Sequence, residues 1–191
     1  MKICLFGASS SLIDDVYINE VERLGETLAR RGHSLVFGAG GTGVMGAAAR
    51  GIKSAGGTVL GVIPYFFRDE AVELIFDNCD DIIYTDSMRE RKKIMEDKAE
   101  AFIITPGGIG TYEEFFEVLT LKQLGRHSKP IAIYNINGYF NGLDEMLKLA
   151  IKEKFLNKEC MTLYKLSSDP DELFDYIECK EHIEFNLLKL K

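Results

Sequence analysis

Basic residues are in the minority: Lys and Arg number 23 against 30 Asp and Glu, a net charge of -7 over 191 residues. No basic stripe runs through the chain, so the footprint of nucleic-acid binding is missing and no nucleic-acid partner is expected. Cysteines are few, at Cys4, Cys79, Cys160 and Cys179, and no two form a CxxC pair, so neither zinc nor a redox motif is signalled. His33, His127 and His182 are scattered, while Asp14-Asp15 and Asp80-Asp81 read as a helix start and a strand edge, so no metal is expected. No apolar run is long enough to span a bilayer, so no membrane partner is expected. Met1–Gly7 reads as a strand entering a turn rather than as a signal peptide, which makes a reducing cytoplasm the expected compartment. A Gly-Lys-Ser/Thr run is missing, which disfavours nucleotide hydrolysis of the P-loop type. A GxSxG elbow is missing too, which disfavours a serine hydrolase.

What is there is alternation. Hydrophobic residues make up 46% of the chain, enough for one sizeable core and a single domain over 1–191. Strands are expected at Lys2–Phe6, Ser34–Phe37, Thr58–Ile63, Asp81–Tyr84, Phe102–Thr105, Ile131–Tyr134 and Met161–Leu166. Helices are expected at Asp14–Arg31, Gly43–Ala55, Met88–Ala99, Thr111–Leu124, Leu143–Lys154 and Pro170–Glu178. Cys4, inside an apolar strand, reads as a small core residue. Continuous apolar strands alternating with helices imply a parallel sheet covered on both faces. The expected fold is therefore α/β, a Rossmann-like doubly wound sheet, with ligands bound outside the carboxyl ends of the strands.

Four segments at such ends carry chemistry. Gly7-Ala8-Ser9-Ser10-Ser11 offers N–H groups and hydroxyls, although alone it also reads as a plain strand-to-helix turn. Gly38–Gly46 has five glycines in nine residues and reads as a backbone bed for a nucleotide, with Gly40, Gly41 and Gly43 as phosphate contacts. Tight packing of an Ala/Gly helix on the sheet accounts for the same glycines in part. Ser87–Met95 places Arg89, Arg91, Lys92 and Lys93 at a helix start, where the helix dipole disfavours cations unless an anion is near. Arg91 and Met95 share one helix face, so a guanidinium and an apolar group could address one ligand, with Met88 a turn before. Pro106-Gly107-Gly108-Ile109-Gly110-Thr111 is a glycine turn between strand and helix, which suits a phosphate through Gly108, Gly110 and Thr111. It delivers Glu113 and Glu114 into the first helical turns, where a carboxylate suits a reacting sugar.

Together the segments resemble the LOG (Lonely Guy) family of cytokinin riboside 5′-monophosphate phosphoribohydrolases, often mislabelled as lysine decarboxylases. The resemblance runs from about Ile3 to about Leu156 and rests on PGGxGTxxE at Pro106–Glu114 and on Met88-Arg89-Glu90-Arg91-Lys92. Arg89 stands where the family has His, Ala39 where it has Gly, and Val44 where it has Leu. The resemblance implies Arg91 and Glu114 as the catalytic pair. It also implies substrate contacts at Glu73, Arg91, Lys92, Gly108, Ile109, Gly110, Thr111, Tyr112, Glu113, Glu114 and Thr120. The implied reaction splits a purine riboside 5′-monophosphate into free base and ribose 5-phosphate, in a homodimer that needs no cofactor. Two other classes stay open: a nucleotide or molybdenum-cofactor carrier of the same fold, and a pyridoxal-phosphate decarboxylase, for which no Schiff-base lysine stands out.

Overall fold

The computed structural model describes residues 1–71 and 73–179. Its strands are β1 (Lys2–Phe6), β2 (Ser34–Phe37), β3 (Val59–Pro64), β4 (Asp81–Thr85), β5 (Ala101–Ile104), β6 (Ile131–Tyr134) and β7 (Lys165–Ser167). They form one sheet in the order β4-β3-β2-β1-β5-β6-β7, and every pairing is parallel. The helices are α1 (Asp15–Arg30), α2 (Gly43–Ser54), α3 (Tyr65–Asp69), α4 (Met88–Lys98), α5 (Ile109–Gln123), α6 (Asn141–Lys152) and α7 (Pro170–Glu178).

Side chains alternate across each strand and so divide the core in two. Ile3 and Leu5 of β1 join Leu24 and Leu28 of α1, Ala47 and Ile52 of α2, and Leu173 and Phe174 of α7. Cys4 and Phe6 of the same strand join Met95 of α4, Phe115 and Val118 of α5, and Leu143 and Leu147 of α6. Both faces are therefore dry, as the continuous apolar strands require. Cys4 is fully buried, as expected of a core residue.

The chain steps outward from β1 to β4, then returns across the sheet to lay β5 against the other side of β1, with Phe6 opposite Ile104. That reversal is the switch point, and the turns after β1 and β5 open side by side there. The turn after β2 adjoins them, because β2 pairs with the other edge of β1.

Three expectations need correction. The last strand is Lys165–Ser167 rather than Met161–Leu166, since Lys158–Thr162 winds as a 3-10 helix started by the Asn157 side chain, which accepts from the Glu159 N–H. Helix α5 begins at Ile109 rather than Thr111, so Gly110 belongs to the helix and Gly108 is its N-cap. The short helix α3 was not anticipated; it begins directly after Pro64 and carries three aromatic residues, Tyr65, Phe66 and Phe67. Among the described residues no helix is long and apolar enough to cross a membrane. His182 and the rest of the chain from Lys180 lie outside the described residues.

Candidate active site

A cleft of about 290 Å³ opens at the switch point. Gly7, Ala8 and Ser9 line it from the turn after β1, Met45 from α2, Phe67 from α3, and Met88 and Arg91 from α4. Glu73 closes one side, and Gly108, Gly110, Thr111, Glu113 and Glu114 form the wall supplied by the turn after β5 and the start of α5.

That wall presents the open N-terminus of a helix. The first N–H groups of a helix have no partner within it, and α5 has no side-chain cap because its N-cap is Gly108. A Cβ at Gly108 or Gly110 would meet nothing within 4 Å, so the space before their backbone is open. Thr111 is buried in the same wall, and its Oγ1 lies where a Cβ on Gly107 would stand, at 2.1 Å. By contrast α1 is capped by Asp14, which accepts from the Val16 N–H at 2.9 Å, and α4 by Ser87, which accepts from the Glu90 N–H at 3.2 Å.

Arg91 is only 5% exposed, although it lies in the second turn of α4. Its Nη2 donates to the Gly38 carbonyl at 3.2 Å, and its guanidinium stands over the Phe67 ring at 5.4 Å. Its Nε is buried without a hydrogen-bond partner. A buried guanidinium with an idle donor is an expensive feature for a fold to keep unless a ligand completes it. Gly38 is required by this arrangement, because a Cβ there would stand 1.7 Å from Nη2.

Glu114 faces Arg91 across the cleft. Burial pushes its carboxyl up to about 7; Arg91 pulls the other way, and Glu113 adds to the rise. A carboxyl poised near neutrality can hold or release a proton in the working range. Lys92 sits beside the cleft. It pairs with Glu113 and with Glu117, so it ties α4 to α5 beside the cleft instead of lining it.

The structure thus brings Glu73, Met88, Arg91, Gly108, Gly110, Thr111, Glu113 and Glu114 to one cleft. It places five other expected contacts elsewhere. Met95 is 1% exposed and belongs to the core. Ile109 is 90% exposed and outside the cleft lining, and Tyr112 packs edge-on against Phe140. Thr120 is exposed and, nine residues beyond Thr111 at about 1.5 Å rise each, lies about 14 Å further along α5. Lys92 is the fifth. The glycine bed after β2 is also reassigned in part. The Gly41 N–H donates to the Leu74 carbonyl at 2.6 Å, and a Cβ on Gly43, at φ +59°, would stand 2.5 Å from the Ala8 carbonyl. Those two glycines permit close backbone packing. Gly40 is packed as well: a Cβ there would stand 2.6 Å from Met45 and 3.5 Å from Glu73. Phe67 and Met45 were missed as cleft residues. The aromatic run after Pro64 was the only signal available for Phe67.

Comparison with known proteins agrees with this picture. A family model described as "Possible lysine decarboxylase" matches residues 45–177. A rice protein (Oryza sativa subsp. japonica) named probable cytokinin riboside 5′-monophosphate phosphoribohydrolase is 33% identical over 177 residues, covering 93% of this chain and 70% of its own. An Arabidopsis thaliana protein named cytokinin riboside 5′-monophosphate phosphoribohydrolase is 34% identical over 177 residues, covering 93% of this chain and 81% of its own. The chain belongs to the LOG family. Among solved structures, the molybdenum cofactor carrier protein of Chlamydomonas reinhardtii superposes with a TM-score of 0.69 at 23% identity, covering 93% of this chain and 95% of that one. This second likeness concerns the fold. The decarboxylase wording of the family model finds no counterpart in the cleft, whose lining includes no lysine.

Proposed function

We propose that this chain hydrolyses the N-glycosidic bond of a purine riboside 5′-monophosphate, giving free base and ribose 5-phosphate. The observation that carries the reading is the facing pair Arg91 and Glu114 in front of the uncapped start of α5. The phosphate sits on the N–H groups of Gly108, Gly110 and Thr111, where the helix dipole favours it. The ribose then lies before Glu114. As the C1′–N9 bond breaks, its electron pair leaves with the base and positive charge grows on the sugar, where the Glu114 carboxylate stabilises it. A water oxygen bonds to C1′, Glu114 takes its proton, and that proton passes to the departing base, which leaves neutral and returns Glu114 to the carboxylate. Arg91 orients the nucleotide and offsets negative charge on the leaving base or the phosphate. Met45, Phe67 and Met88 give the base an apolar wall, and Glu73 gives it a polar contact. The residues assembled here do this without a metal or redox cofactor.

The protein works in this reading as a cytoplasmic homodimer. Leu124, Met146, Leu149 and Phe155, all 45% or more exposed near the ends of α5 and α6, are apolar surface that a second copy would cover.

Base release from AMP, prenyl-AMP, GMP and CMP, with adenosine as the control lacking phosphate, tests the activity. Release from purine monophosphates and none from adenosine is the expected result. Tight nucleotide binding without release from any of them would replace the hydrolase with a carrier.

A further inference from the structure

The turn that faces the phosphate is held from behind by a residue outside every motif. The hydroxyl of Tyr139 donates to the carbonyl oxygen of Gly107 at 2.7 Å. No peptide bond among the described residues is cis. In a planar trans peptide the C=O and the following N–H point in opposite directions. A Gly107 carbonyl turned toward Tyr139 therefore turns the Gly108 N–H away from Tyr139, and Gly108 lines the cleft while Gly107 and Tyr139 do not. The preceding carbonyl, that of Pro106, is also occupied, accepting from the Ala8 N–H at 3.3 Å. A peptide flanked by two glycines meets little steric resistance to turning over. Turned over, it would present a carbonyl oxygen to the anion instead of a donor.

Tyr139 is itself held in place. The chain after β6 bends through Asn137 and Gly138, at φ 51° and 73°. The Asn135 side chain accepts from the Phe140 N–H at 2.7 Å and donates to Asn141 Oδ1 at 2.8 Å. The Tyr139 ring packs edge-on against Tyr17 and Phe140, with centroids 6.1 and 5.0 Å away.

We propose that Tyr139 is a positioning residue for phosphate recognition: its hydroxyl fixes the Gly107–Gly108 peptide so that the Gly108 N–H faces the anion. This rests on the phosphate-binding part of the reading above and not on bond cleavage.

The test compares binding of AMP and of adenosine to the wild-type chain and to Tyr139→Phe, which keeps the ring packing. The variant loses the hydroxyl's bond to the Gly107 carbonyl and its hydrogen bond with Tyr112, and only the first bears on the turn, so AMP binding should weaken about 3- to 10-fold while adenosine binding stays unchanged. In turnover, KM for the monophosphate should rise more than kcat falls. Unchanged AMP affinity overturns the assignment, and so does an equal loss for AMP and adenosine, which would report packing alone. If the wild-type chain binds AMP but releases no base, the hydrolase reading fails, and the same two binding ratios still decide for or against Tyr139.

Discussion

Replacing Glu114 by Gln should make the protein more stable and inactive. In the folded chain burial holds this carboxyl at about 7, against an ordinary value of 4.5. Between those two pH values the folded state keeps a proton that the unfolded state has released, so stability falls as pH rises through the window. At 1.36 kcal/mol per pH unit the loss is complete above pH 7 and amounts to about 3 kcal/mol. The pull of Arg91 and the push of Glu113 are already contained in that figure. Gln has the same shape and never ionises, so Glu114→Gln escapes the loss. Thermal melts of both proteins at pH 5 and pH 8.5 measure it. Near pH 5 the two should melt close together. At pH 8.5 the variant should melt roughly 6–12 °C higher, at 2–4 °C per kcal/mol for a chain of this size. Base release should fall at least about a hundredfold in the same variant. A variant no more stable than wild type at pH 8.5, or offset equally at both pH values, would refute the claim that Glu114 is held protonated by burial. Retained hydrolysis in a folded variant would remove its catalytic role.

Gly38→Ala should disable the site by displacing Arg91: the new Cβ would stand 1.7 Å from Arg91 Nη2, so the guanidinium must leave, and turnover should fall about a hundredfold while stability drops only about 1–2 kcal/mol by chemical denaturation. Lys92→Met removes the cation between Glu113 and Glu117, both of whose side chains are more than a third exposed, so a loss of about 1 kcal/mol is expected in urea melts. Because Lys92 also holds the Glu114 carboxyl down, the midpoint of the pH–rate curve should move to higher pH in that variant; an unmoved midpoint would count against the coupling. Gly110→Ala should leave stability equal or slightly raised, since Ala is the better helix former by up to about 1 kcal/mol. Its methyl would occupy the open space kept for phosphate, so AMP binding measured by calorimetry should weaken, and unchanged affinity would put the phosphate elsewhere.

Strand and helix alternation was legible because the central strands β1, β2, β5 and β6 are apolar on both faces and several helices begin at a readable residue. Asp14, Ser87 and Asp169 each cap a helix with a side-chain oxygen. The start of α5 was misread by two residues because its N-cap is a glycine, which leaves no side-chain signal. Motif spacing fixed Arg91, Thr111 and Glu114, whose positions depend on local turns. Lys92 and Met95 lie off the cleft wall, because neither motif nor helical spacing says which face of α4 meets the cleft. Beyond the aromatic run after Pro64 nothing local in the sequence marks Phe67, and nothing local marks Tyr139; their roles exist only once α3 and the turn after β6 fold back over the switch point. The need for Gly38 was likewise invisible until Arg91 was seen against it.

Three features that weaken this fold meet in one place, and their signs say what must occupy it. The start of α5 is uncapped, Arg91 keeps an unused buried donor, and Glu114 is held away from its ordinary ionisation. Others lie elsewhere among the described residues: α2 and α6 also start without a side-chain cap, burial pulls Lys122 down to about 8 and His127 down to about 4, and one oxygen of Glu159 is buried without a hydrogen-bond partner. Within the cleft, an anion alone would satisfy α5 and Arg91. It would also raise the Glu114 carboxyl further, because a negative ligand disfavours a second negative charge nearby. A carrier that holds a phosphate gains nothing from such a carboxyl. A ligand that is anionic at one end and becomes cationic at the other, at the moment its glycosidic bond opens, relieves all three at once. That difference in charge between bound substrate and transition state is what separates the hydrolase reading from the carrier reading on physical grounds.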